Sequence, residues 1–158
     1  MKFPGIGRKS LIAATMLSTV LLHVGALAEG VADKITINDP YIRAVPPVVQ
    51  TSAAFMQIQN SDEVERFVVG AATPAAAAVE LHMHTHDDGV MRMRQIPHIH
   101  LPSNQTISLQ PGGLHVMLFD LQMVLTPGAE IPITLTFDDG STKDVTAVVR
   151  PVTGMMKH

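Results

Sequence analysis

An all-β domain, folded as a Greek-key sandwich, is what this sequence predicts, and three observations carry the prediction. Short apolar runs recur about every 10–15 residues, separated by Pro, Gly, Asn and Asp. Asp88-Gly89 and Asp139-Gly140 are strong hairpin signals, because both residue types accept the positive φ angles of a tight turn. Only Pro74–Val79 (PAAAAV) could form a helical turn.

Taken from the amino terminus, residues 1–28 read as a secretory signal peptide. Lys2, Arg8 and Lys9 form the charged start, Leu11–Leu22 the apolar stretch, and Ala26-Leu27-Ala28 a small-residue cleavage site ahead of Glu29. The mature chain would then stand in the periplasm. Removing those three basic residues takes the formal charge from −3 to −6, which disfavours nucleic acid and anionic membranes as partners. The apolar stretch is short for a span and no second one follows, so no membrane span is expected after processing. Residues 29–150 are expected to form one domain and 151–158 a short disordered tail. The chain has no cysteine, so the domain must stand on its core alone, and methionine is its only sulfur ligand.

Within the domain, strands are expected at Lys34–Ile37, Tyr41–Ala44, Ala53–Asn60, Arg66–Ala71, Ala78–Thr85, Val90–Ile96, Thr106–Leu109, Leu114–Leu118, Ile131–Phe137 and Lys143–Arg150. Phe55 and Gln57 break the alternation in the third of these, so some runs are expected to be buried on both faces. Pro46-Pro47 suggests a loop, and Pro111-Gly112-Gly113 a turn just before Leu114. With few aromatic residues, the core must be mostly Val, Ile, Leu, Ala and some Met.

Two histidines and two methionines stand at H-x10-M-x21-H-x-M: His82, Met93, His115 and Met117. Thioether sulfur is a soft, neutral ligand suited to Cu(I), and imidazole also binds copper, whereas magnesium and calcium prefer oxygen. Alternation in Leu114–Leu118 puts Leu114, Val116 and Leu118 on the core face. His115 and Met117 then project together from the other face, about 7 Å apart along the strand. The hairpin around Asp88-Gly89 supplies the other half. A two-residue loop sets His84 opposite Met93 with His82 diagonal; a four-residue loop sets His82 opposite Met93. Either register puts His82, His84 and Met93 on one face, so geometry alone does not choose between the two histidines. If Met93 faces a metal, Arg92 and Arg94 should face the core, which is unfavourable without partners. A bulge or an edge position would relieve this conflict.

The runs Val79-Glu80-Leu81-His82, Asp87–Arg94 and Leu109–Leu118 together resemble the PCu(A)C family of periplasmic copper chaperones, whose pattern is H(M)-x10-M-x21-H-x-M. The likeness covers about Asp39 to Arg150 and includes the optional Met83. Many relatives carry a Trp where this chain has Tyr41. The resemblance implies a cupredoxin-like Greek-key fold and Cu(I) held by His82, Met93, His115 and Met117, choosing His82 over His84. It also implies delivery of copper to the dinuclear copper centre of cytochrome c oxidase, beside Sco-type proteins. Some relatives extend into a His/Met-rich tail, of which only Met155–His158 stands here. Whether that tail, His84, His86, His98 or His100 forms a second Cu(II) site is left open.

Three classes of function are compatible with a chain of this kind to different degrees. A metallochaperone without catalysis fits a site of neutral, exchangeable ligands, with copper storage or resistance as its nearest alternative. A blue-copper redox protein needs a cysteine that is absent. A metal-free interaction module would require the whole His/Met pattern to be accidental.

Overall fold

The computed structural model describes residues 29–152. The signal peptide read over 1–28, and the tail beyond Val152, lie outside the described residues. One short helix, α1 (Val31–Lys34), precedes ten strands. These are β1 (Ile35–Arg43), β2 (Thr51–Asn60), β3 (Arg66–Ala72), β4 (Ala76–Asp87), β5 (Val90–Gln95), β6 (Ile99–Leu101), β7 (Thr106–Leu109), β8 (Leu114–Leu121), β9 (Glu130–Phe137) and β10 (Thr142–Arg150). The fold class predicted by the sequence is the one observed.

The strands hydrogen-bond in the order β5-β4-β8-β7-β2-β1-β10-β9-β3-β6, and β8 also pairs directly with β2. β1 runs parallel to β10 and β7 parallel to β8; the other pairs are antiparallel. Leu81 of β4 and Leu101 of β6, from opposite ends of this order, belong to one hydrophobic core. The sheet therefore curls over itself and closes on a single interior, which is how an open sheet buries one face. Ile42, Ile58, Leu101, Leu118, Leu135 and Phe137 are fully buried there, each contributing roughly 1.5–3 kcal/mol by removal of apolar surface from water.

Four local expectations are corrected. The first two expected strands are one strand, β1, with an irregularity between Asn38 and Tyr41. Asp39 takes a φ of 50° ahead of Pro40, so the chain kinks without leaving the sheet. Lys34 belongs to α1 rather than to a strand. That one-turn helix is held from a distance: Asp139 accepts from the Val31 N–H at 2.8 Å and Ser141 Oγ from the Ala32 N–H at 3.0 Å. No local pattern predicts such a cap. The alanines of Pro74–Val79 form a turn and the start of β4, not a helical turn, with Ala75 and Ala76 buried. Finally, β6 was not expected, because three residues between prolines give no period to read. It is fixed by the buried Asn60, whose Nδ2 donates to the carbonyls of Leu101 at 3.0 Å and Pro102 at 3.2 Å.

Candidate metal centre

β8 lies between β4 and β2, and its alternation is the one expected. Val116 and Leu118 are buried in the core, and His115 and Met117 stand on the opposite face. Register then assembles the rest. His115 faces His82, Met117 faces Glu80 on β4, and Ala53 of β2 faces Met117 from the other side. The β4–β5 turn holds two residues, with Asp88 at φ 51° and Gly89 at φ 78°. His84 therefore lies opposite Met93, and His86 opposite Met91. Position at the edge of the sheet resolves the conflict over Arg92 and Arg94: every residue of β5 is exposed, and Arg94 pairs with Asp87 at 3.0 Å.

All four predicted residues share this face, but not one environment. A cleft of about 230 Å³ is lined by His84, Met93, His115 and Met117, with Phe55 and Arg43 among its walls. His82 is not part of that lining. It is 8 % exposed and packs against His115 and Phe119, with ring centroids 5.8 Å from each. Arg43 sits over the Phe55 ring at 5.3 Å, and Phe55 lies 6.2 Å from the His115 ring. Sequence reasoning missed these walls. Arg43 and Phe55 reach the cleft only through the pairing of β2 with β1 and β8.

In the neutral ring, hydrogen bonding sets the tautomer of two of these imidazoles. His115 Nδ1–H donates to the Gly113 carbonyl at 3.1 Å, which leaves the lone pair on Nε2. His82 Nε2–H donates to the Glu80 carboxylate at 2.7 Å, which leaves the lone pair on Nδ1. His115 Nε2, His82 Nδ1 and His84 Nδ1 are all buried and without a hydrogen-bond partner. Leaving a buried polar atom unpaired costs roughly 1–3 kcal/mol, so three on one face call for an explanation. A carboxylate or carbonyl behind a ligating histidine is also the usual arrangement for orienting it toward a metal. Glu80 is a further residue that the spacing pattern did not flag, although its place two positions before His82 puts it on the same face. Burial pushes the His115 pKa below its ordinary value against the opposing hydrogen bond to Gly113, and the neighbouring His84, His82 and Arg43 add to the lowering. Among the described residues, no three His, Cys, Asp or Glu side chains converge as a ready-made cage. A site here needs the thioethers, and the donor set fits a soft ion.

His98 and His100 lie on the far edge, in and beside β6. Both rings pack on Phe67, and His100 pairs with Glu65 at 2.8 Å.

Fold and side chains together define a cupredoxin-like β-domain carrying a soft His/Met cluster on one sheet face. The LpqE-like family model, described as a putative lipoprotein family, matches residues 35–149, and the chain belongs to that family, which is of the PCuAC type. "Putative lipoprotein Lxx21020" of Leifsonia xyli subsp. xyli is 31 % identical over 155 residues, covering 91 % of this chain and 92 % of that protein. The solution structure of Cu(I)-DR1885 from Deinococcus radiodurans is 34 % identical, with a TM-score of 0.64 over 84 % of this chain and 87 % of its own. The copper-bound PCuAC domain from PmoF2 is 24 % identical with a TM-score of 0.64, over 75 % of this chain and 93 % of its own, a likeness of fold.

Proposed function

We propose that this protein is a copper metallochaperone and not an enzyme. It takes Cu(I) on His82, Met93, His115 and Met117 and delivers it to the dinuclear copper centre of cytochrome c oxidase, beside Sco-type proteins. The observation that carries the reading is the set of orphaned imidazole nitrogens next to two thioethers on one face. The 34 % identity to a protein solved with Cu(I) supports the choice of metal. All four donors are neutral, and an acceptor can displace them one at a time. Thiolate is a stronger donor to soft ions than thioether, which sets the direction of transfer toward a cysteine-bearing acceptor.

The proposed location is the periplasm, reached by cleavage after Ala28. No helix among the described residues is long and apolar enough to cross a membrane. The putative-lipoprotein names of the family and of the Leifsonia relative support an envelope location. The test is a mixing experiment: Cu(I)-loaded protein with the reduced, copper-free oxidase domain, followed by NMR or mass spectrometry. Transfer to the acceptor is expected. Copper that stays put at equimolar acceptor would favour storage or resistance instead.

A further inference from the structure

We propose that His84 is a third imidazole donor of this site, so that an ion held by His115, Met93 and Met117 exchanges between Nδ1 of His82 and Nδ1 of His84. The inference rests on the copper reading above and adds a residue to it. His84 lines the cleft together with Met93, His115 and Met117, whereas His82 does not. Its ring centroid lies 5.1 Å from that of His115, closer than the 5.8 Å of His82. It stands directly opposite Met93 in the two-residue hairpin. Its Nδ1 is buried without a partner, although the residue is only half-buried.

One carbonyl ties the two neighbouring histidines together. Gly113 O accepts from the His84 backbone N–H at 3.2 Å and from His115 Nδ1–H at 3.1 Å. His84 is thus placed on the same anchor that aims the His115 lone pair. His82 differs in having its outer nitrogen held by Glu80, a firm but buried mount.

Five soft or borderline donors then stand on this face, one more than a four-coordinate soft ion takes. One donor is always free to enter as another leaves. The ion can move from the buried imidazole to the one lining the cleft without losing nitrogen ligation on the way.

Anaerobic Cu(I) titration of the wild-type protein against a competing chelator tests this, alongside H82A, H84A, H84Q and the H82A/H84A double variant, each checked by thermal melting. Each single variant should still bind one Cu(I), with affinity lowered less than about tenfold. The double variant should lose more than about a hundredfold, beyond the product of the single losses. Imidazole ¹⁵N NMR should show the His84 Nδ1 resonance shifting on loading. A double variant no weaker than H82A, with an unmoved His84 resonance, would overturn the role of His84 and leave the copper reading intact. A wild-type protein that takes up no Cu(I) would remove both.

Discussion

Met56 and Met93 carry the same side chain and differ in everything around it. Met56 is 2 % exposed in β2 and part of the core. Met93 is 46 % exposed on the edge strand β5, opposite His84. Substituting leucine for methionine keeps volume and apolarity and deletes only the sulfur. At a buried site such a swap costs under about 1.5 kcal/mol, and at an exposed one it stays within about 0.5 kcal/mol. Met93→Leu should therefore melt with the wild type. Its Cu(I) affinity should fall at least tenfold to a hundredfold, since losing a residue that merely supports a ligand already costs about that much. The loss corresponds to roughly 1.4–2.7 kcal/mol of binding. Met56→Leu is the internal control, leaving copper binding untouched, and Met56→Ala should cost about 2–5 kcal/mol of stability. The assay pairs chemical denaturation of the apo protein with anaerobic chelator competition. Copper affinity within threefold of wild type for Met93→Leu would refute its role as a ligand. Destabilisation of that variant by more than about 2 kcal/mol would instead show a packing residue.

Three further outcomes are expected. His115→Ala should weaken Cu(I) binding more than Met93→Leu does, and X-ray absorption of any copper retained should show one nitrogen neighbour fewer. Asn60→Ala removes a fully buried amide that donates to Val64, Leu101 and Pro102 and accepts from the Asp62 N–H; a loss of about 2–4 kcal/mol is expected in urea unfolding, with no change in copper affinity for the folded fraction. Asp139→Ala should cost about 1 kcal/mol through loss of the α1 cap. The Ser141 hydroxyl and the Val31 N–H hold the Asp139 carboxyl below its ordinary value of 3.8. Its contribution is therefore fully present above about pH 4 and fades as pH falls through the folded pKa, so the wild-type and variant melting curves should converge in acid.

Much of this fold was legible because alternation and turn chemistry act locally. The Asp88-Gly89 turn, the core face of β8 and the loop at Pro46-Pro47 all follow from neighbouring residues alone. β6, α1 and the joined β1 were not legible, since each depends on a partner far along the chain. Asn60 reaches across to β6, Asp139 and Ser141 cap α1, and β2 keeps pairing with β1 on both sides of the Asp39 kink. Arg92 and Arg94 teach the same lesson. Their conflict with the core vanished once β5 proved to be an edge, and nothing in residues 90–95 states where in the sheet they lie.

The same division explains why spacing points to this face but does not separate the histidines on it. A spacing pattern records which residues occur on paired strands, and parity then gives their face. It does not record which nitrogen of an imidazole is left free. That depends on Glu80 for His82 and on the Gly113 carbonyl for His115, and those contacts exist only in the folded sheet. His82 and His84 are indistinguishable by parity; burial and hydrogen bonding separate them. His82 is the buried, carboxylate-backed imidazole and His84 the one that meets the cleft. A protein that only retained copper would be served by the first. A protein that must also surrender it needs a donor where an acceptor's ligands can reach, and on this face His84 and Met93 occupy that position side by side.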